Sequence, residues 1–237
     1  VTNDWLYAFP GPWQPSKNYT VDLRVCNSSE GGCSGVLNTK TFVIDDAAPI
    51  NVVTTPSLAA HRAGQLGTLY GTVSDPTAPA QPNSLLPSTV YFRVLRDKDG
   101  REWAVNPSTF VVAPGTNLVG ADEGGGLFSY TTTYLSTDQM FEDGYLYRVN
   151  LFATDKAGNA GSVTGSLFRY DISVPTAAMT VPIPGAKINT LATISGTARD
   201  PNPKLGDANS SPSGMQGVDI QIQRQFNGNY FNGANFG

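Results

Sequence analysis

Apolar and polar residues alternate over several short stretches of this chain. In VYFRVLRDKDGREWAV (Val90 to Val105), Val90, Phe92 and Val94 share one face, and Asp99-Gly100 stands where a tight turn would send the chain back. In YLYRVNLFATDKAGNAG (Tyr145 to Gly161) the shared face is Tyr147, Val149, Leu151 and Ala153, and the pattern then stops at the turn-rich DKAGN. GSLFRYDI (Gly165 to Ile172) supplies the returning strand. No segment carries a credible amphipathic-helix period, so the pattern predicts an all-β chain folded as antiparallel sandwiches.

The same patterns recur along the chain. YTVDLRVCN (Tyr19 to Asn27) matches YRVNLFATD (Tyr147 to Asp155) at an offset of 128 and is followed by its own returning strand, TKTFVIDD (Thr39 to Asp46). ISGTARDP (Ile194 to Pro201) matches LYGTVSDP (Leu69 to Pro76), with Gly71 and Gly196 125 residues apart. VDIQIQRQFNG (Val218 to Gly228) matches VYFRVLRDKDG (Val90 to Gly100), again at 128, with Asn227-Gly228 replacing Asp99-Gly100. Phe-x-x-Asp-x-x-x-Pro is written twice, at Phe42 to Pro49 and at Phe168 to Pro175. A fixed period of this kind marks repeated domains.

Residues 1–49 therefore read as the C-terminal half of a module, 50–175 as a complete one, and 176–237 as the N-terminal half of a third. The two halves together fall short of the complete module roughly opposite Val111 to Glu123, a stretch that reads as loop. An isolated half-sandwich leaves strand edges unpaired and a core face wet. The expected partners are neighbouring modules of the same long chain, or identical copies completing one another in a fibre.

Composition narrows the function classes. Only 14% of the 237 residues are charged, and the formal net charge is −4, with a pI near 4.9. Nucleic-acid affinity comes from clustered Lys and Arg, and no basic stripe is present, so nucleic acid is not an expected partner. No run of 18 apolar residues occurs, so no membrane insertion is expected in this segment. The two cysteines, Cys26 and Cys33, flank the polar NSSEGG, and so close a pair at a hairpin could bridge. A disulfide would place the chain in an oxidising, extracellular or cell-surface setting. Two free thiols are the alternative, and a metal site lacks the further His or Cys that would complete it.

Tyr147 to Asn159, Phe168 to Pro175, Ile194 to Asp200 and Gly217 to Ile222 together resemble the bacterial immunoglobulin-like repeats of large secreted and cell-surface proteins. The resemblance touches all three segments. It implies tandem immunoglobulin-like antiparallel β-sandwiches, one complete module flanked by two half-modules. It also implies calcium near module junctions, where Ca²⁺ draws six to eight oxygens from carboxylates, carbonyls and water. Asp155 and Asp171, with Asp200 of the next module, are candidates for one junction; Asp45, Asp46 and Asp75 would form the equivalent junction one module earlier. These residues equally suit turn capping through side-chain to backbone hydrogen bonds. The first segment departs from the pattern, since Cys26, Asn27 and a Ser/Gly loop replace ATDKAGN.

Other constellations lead elsewhere. Asp97 to Gly100 (DKDG) superficially resembles a calcium loop but lacks the 12-residue spacing and terminal Glu, and reads as a hairpin turn. His61, the single histidine, sits in the polar AAHRAGQ without a nucleophile motif and reads as a surface loop residue. The acidic neighbours Asp122/Glu123 and Glu142/Asp143 read as solvated loop pairs rather than a hydrolytic site. Trp5, Trp13, Tyr91, Trp103 and Tyr230 could build a sugar-stacking platform, but aromatics of a sandwich fill its core and cross-strand pairs. Asn18, Asn27 and Asn209 fit the N-glycosylation pattern.

The functional expectation is a non-catalytic structural repeat: a string of rigid sandwiches with Pro49 and Pro175 restricting the junctions. The competing class is a carbohydrate-binding or adhesive module of a large secreted protein.

Overall fold

The computed structural model describes residues 4–15, 17–26, 32–76 and 89–236. The period-two stretches are strands except Val218 to Gly228, where Gln223 forms only an isolated bridge with Tyr230, and the described helix is a single turn, α1 (Thr133–Ser136). In the first segment, β1 (Lys17–Leu23) and β2 (Asn38–Ile44) pair antiparallel. β3 (Ile50–Thr55), β4 (Ala60–His61) and β5 (Thr68–Ser74) follow, then β6 (Tyr91–Arg96), β7 (Arg101–Ala104) and β8 (Thr109–Val111). β9 (Leu118–Val119), β10 (Ala121–Gly124) and β11 (Leu127–Thr131) precede α1; β12 (Leu146–Phe152) and β13 (Thr164–Tyr170) come after it. β14 (Thr176–Val181) and β15 (Ser195–Arg199) form a final antiparallel pair.

Residues 50–175 build a two-sheet sandwich. One sheet runs β10-β11-β5-β3; the other runs β4-β13-β12-β6-β7-β8, with β9 also on β6. β3 lies against β12 and β13 across the sandwich. The faces expected from the sequence are the core: Val90, Phe92 and Val94 are fully buried, as are Tyr147, Val149, Leu151 and Phe168. Burying each such side chain stabilises the fold by about 1.5–3 kcal/mol against its exposed state. Gly71 on β5 leaves room for the facing sheet, since a Cβ there would meet Leu151 Cδ2 of β12 at 2.5 Å and the Val52 carbonyl of neighbouring β3 at 3.0 Å.

Asp99-Gly100 closes the β6–β7 hairpin as expected, with Gly100 at φ 67° and its amide donating to the Arg96 carbonyl at 3.0 Å. Two expectations are corrected. The stretch from Val111 to Glu123 is not one loop: it contains β9 and most of β10, and Leu118 on β9 is buried against β6. Two- and four-residue strands are too short to show a period in the sequence. The sandwich is also not wholly antiparallel, because β4 runs parallel to β13 at its edge, Ala60 opposite Arg169 and His61 opposite Tyr170.

Local geometry recurs at the repeat offsets. The Glu142 amide donates to the Tyr147 hydroxyl at 2.7 Å, and the Gln14 amide to the Tyr19 hydroxyl at 2.8 Å. Phe141 meets Tyr147 and Phe168 edge-on at 4.9 and 5.4 Å; Trp13 meets Tyr19 and Phe42 edge-on at 4.7 and 5.2 Å. The β3–β5 register shifts between Val53 and Thr55, and the β14–β15 register between Met179 and Val181. Gly228 donates to Arg224 at 2.9 Å as Gly100 does to Arg96, and Gln223 faces Tyr230 as Leu95 faces Glu102. Arg224 lies 4.6 Å over the Phe236 ring, and Arg96 lies 4.7 Å over Phe110.

Candidate metal centre

Three strand ends converge where the first segment enters the sandwich. Asp45 follows β2 on the connection to β3, Asp75 follows β5, and Asp155 follows β12 in the DKAGN turn. One carboxylate oxygen from each lies within 4.8 Å of the others. Asp155 is fully buried, and Asn159 holds it, the Asn159 amide donating to Oδ1 at 2.8 Å and its Nδ2 to Oδ2 at 2.9 Å. The same Nδ2 donates to the Asp45 carbonyl at 3.1 Å, so Asn159 ties the incoming connection to the sandwich.

Turn capping and clustering coexist here. Asp45 Oδ1 accepts the Ala47 amide at 3.1 Å, the local bond that Asp makes in turns. Among the described residues no Lys or Arg forms an ion pair with Asp155. Three carboxylates this close repel, and an all-oxygen donor set suits a hard cation, with Ca²⁺ taking carboxylates singly or in pairs. The residues present therefore fit the calcium that the family resemblance implies.

The grouping differs from the one expected. Asp155 sits with Asp45 and Asp75, not with Asp171 and Asp200. β12 and β13 are antiparallel, so the residues that follow them leave from opposite ends of the hairpin. Asp46 is exposed and lies outside the cluster. Asp171 repeats the Asp45 turn, its Oδ1 accepting the Ser173 amide at 3.0 Å. Its Oδ2 accepts the Ser213 amide at 2.5 Å and Asp200 Oδ2 accepts the Gly214 amide at 2.9 Å, so one loop engages both carboxylates.

The remaining candidates have structural partners. Asp99 pairs with Arg96 at 2.7 Å, and that hydrogen bond holds its carboxyl below the ordinary range. His61 is not in a surface loop: it is buried in β4 with its ring edge-on to Phe168 at 5.4 Å, and burial pushes its pKa down. A polar sequence neighbourhood concealed it, because only His61 of its segment turns inward. Asp122 caps the Gly124 amide, Glu123 accepts the Ser129 hydroxyl, and Asp143 accepts the Ile172 amide and Ser173 hydroxyl. Trp103 is buried against Phe110 and Tyr134, and Tyr91 stacks on Phe152 directly across the strand pair at 4.9 Å. Trp13 packs with Phe9, Tyr19 and Phe42, while Trp5 and Tyr230 are exposed. Asn18 and Asn209 are exposed, and Asn27 lies outside the described residues.

Cys26 and Cys33 are joined by a disulfide. Sequence reasoning missed a cluster at the exit of the sandwich, where Lys204 pairs with Glu142 at 2.7 Å and lies 4.5 Å over Tyr145, whose hydroxyl donates to Asp207. Burial works to raise the Glu142 carboxyl, but Lys204, Lys98 and Arg96 outweigh it and hold it below its ordinary range. No periodic signal marks this cluster, since its members come from separate turns. Among the described residues, no helix is long and apolar enough to cross a membrane. No protein-family model matches the chain, and no curated protein matches it.

Proposed function

We propose that this chain is a non-catalytic structural repeat of an extracellular fibre, stalk or filament, with calcium held at the entrance of the complete module by Asp45, Asp75 and Asp155. The observation that carries the reading is the recurrence of one local geometry at nearly the same interval: the Tyr147 corner returns at Tyr19, and the Arg96–Phe110 contact returns at Arg224–Phe236. Repetition of this kind supports tandem modules bounded at 1–49, 50–175 and 176–237, in which neighbouring modules or identical copies are the partners. The Cys26–Cys33 disulfide suits an oxidising, extracellular setting. The carboxylates lie where two modules meet, and a cation there links the Asp45 connection to strand ends of the next sandwich. Three bonded contacts at a joint resist bending better than one peptide connection.

Thermal melting and small-angle scattering with calcium and with chelator test this. Calcium is expected to raise the melting temperature and lengthen the particle. Equal melting and equal dimensions in both conditions would remove calcium from the reading, and a flexibly collapsed particle in both would remove the rigid scaffold.

A further inference from the structure

We infer that residues 57–65 form a pH-sensitive strap, keyed by His61, that stiffens the exit joint of the sandwich at neutral pH and loosens it in mild acid. The inference rests on the modular reading above and adds a regulation to one of its joints. Between the buried Pro56 and Leu66, His61 is the one buried residue. The strap lies along the edge of β13, where the Arg169 amide donates to the Ala59 carbonyl at 2.8 Å and the Asp171 amide to the His61 carbonyl at 2.9 Å. Beyond His61, the Gly64 amide donates to Asp138 Oδ2 at 2.8 Å. The two residues that hold the strap by their backbones reach the next segment with their side chains. Arg169 Nη1 donates to the Ser211 carbonyl at 3.2 Å, and Asp171 Oδ2 accepts the Ser213 amide at 2.5 Å. Seating the strap on β13 therefore fixes the backbone from which both joint contacts are made.

Acid acts on that seat at His61. Among the described residues neither ring nitrogen has a hydrogen-bond partner, and the ring lies edge-on to Phe168 at 5.4 Å. The charged groups of the surrounding elements have other contacts. Asp138 takes the Gly64 amide, Asp143 takes the Ile172 amide and the Ser173 hydroxyl, Arg169 faces the Gly144 and Ser211 carbonyls, and Arg62 is exposed. Tyr170, opposite His61 on β13, is pushed up to about 12 by burial and by the charges of Asp138 and Asp143, so it stays neutral. No carboxylate offsets the lowering of the His61 pKa, which burial alone causes. An imidazolium here would be a buried charge without a counter-ion, and lifting the strap into water relieves it. The folded value lies below 6.5 and the lifted value near it. The strap is therefore fully seated above about pH 6.5 and loses its hold as pH falls toward the lowered value.

Residue-resolved hydrogen exchange of the full chain, in chelator at pH 7.5 and pH 5.5, tests this against His61→Phe at the same pH. The amides of Gly64, Arg169 and Asp171 report the strap, and that of Ser213 reports the joint. In the parent chain their protection is expected to fall together by about tenfold relative to the variant, one proton being taken up on opening. The amides of β6 and β12 should keep theirs. Equal behaviour of parent and variant, opening of the strap with Ser213 still protected, or loss of protection in β6 and β12 alongside it would each overturn the inference. His61 is the single histidine of the chain, so its ring proton can also be titrated without any substitution. A midpoint below 6.5 is expected, and one at or above 6.5 would overturn the inference whether or not the variant folds. The calcium response measured at pH 8, where His61 is neutral throughout, is independent of all these outcomes, so failure here and failure of the scaffold reading are distinguishable.

Discussion

The backbone amide of Gln14 donates to the hydroxyl of Tyr19 at 2.8 Å, a bond from the start of a β-hairpin back to the turn that leads into it. Its counterpart, Glu142 to Tyr147 at 2.7 Å, is half-buried, with the Tyr147 side chain fully inside the central sandwich. The two bonds share one geometry in different solvent. Tyr147→Phe leaves a half-buried amide without its acceptor and should cost about 1–3 kcal/mol, read as a fall of several degrees in the melting temperature. Tyr19→Phe, where water can replace the hydroxyl, should cost less than about 0.5 kcal/mol. Equal losses would show that the first hairpin is buried in solution.

The junction carboxylates set a second expectation. Asp45→Asn removes one of three negative charges within 4.8 Å while its remaining oxygen can still accept the Ala47 amide. In chelator the variant should melt at or above the parent temperature, and its response to calcium should shrink. A variant that melts lower in chelator yet keeps the full calcium response would contradict the cluster as a cation site.

His61 predicts an acid-sensitive sandwich. Neither ring nitrogen has a hydrogen-bond partner, and burial holds its folded pKa below the ordinary value of 6.5. The unfolded chain therefore binds the proton more readily. Stability from this site is full above about pH 6.5 and is lost as pH falls toward the depressed folded value. His61→Phe should flatten the melting profile between about pH 5 and 7 without lowering it at pH 8, since an apolar ring suits the contact with Phe168.

At the exit of the sandwich, Gly144 sits at φ 83°, and a Cβ there would run into Pro203 and Ser210. Arg169 donates to the Gly144 carbonyl at 2.6 Å and to the Ser211 carbonyl at 3.2 Å, pinning the same loop. Gly144→Ala should destabilise by about 1–3 kcal/mol and speed hydrogen exchange across residues 200–213. Slowed or unchanged exchange there would show that the loop is held by Arg169 and Lys204 without the close approach at Gly144.

The sequence by itself determined the strands, the hairpin turns and the recurrence, because each is a local property. A period of two selects the buried face of β6 and β12, Asp99-Gly100 and Asn227-Gly228 supply the turns, and matching segments carry matching geometry at Tyr19 and Tyr147. Only the tertiary structure decided which carboxylates meet. Asp155 and Asp171 lie 16 residues apart in sequence and both follow strands of one hairpin, which made them look like neighbours. The seven-residue strands that precede them, β12 and β13, run in opposite directions, and at ~3.3 Å per residue that carries Asp155 to the entrance, beside Asp45, and Asp171 to the exit. The inward turn of His61 and the short strand β9 were decided the same way, by pairing with β13 and β6 across distances that no window of sequence spans.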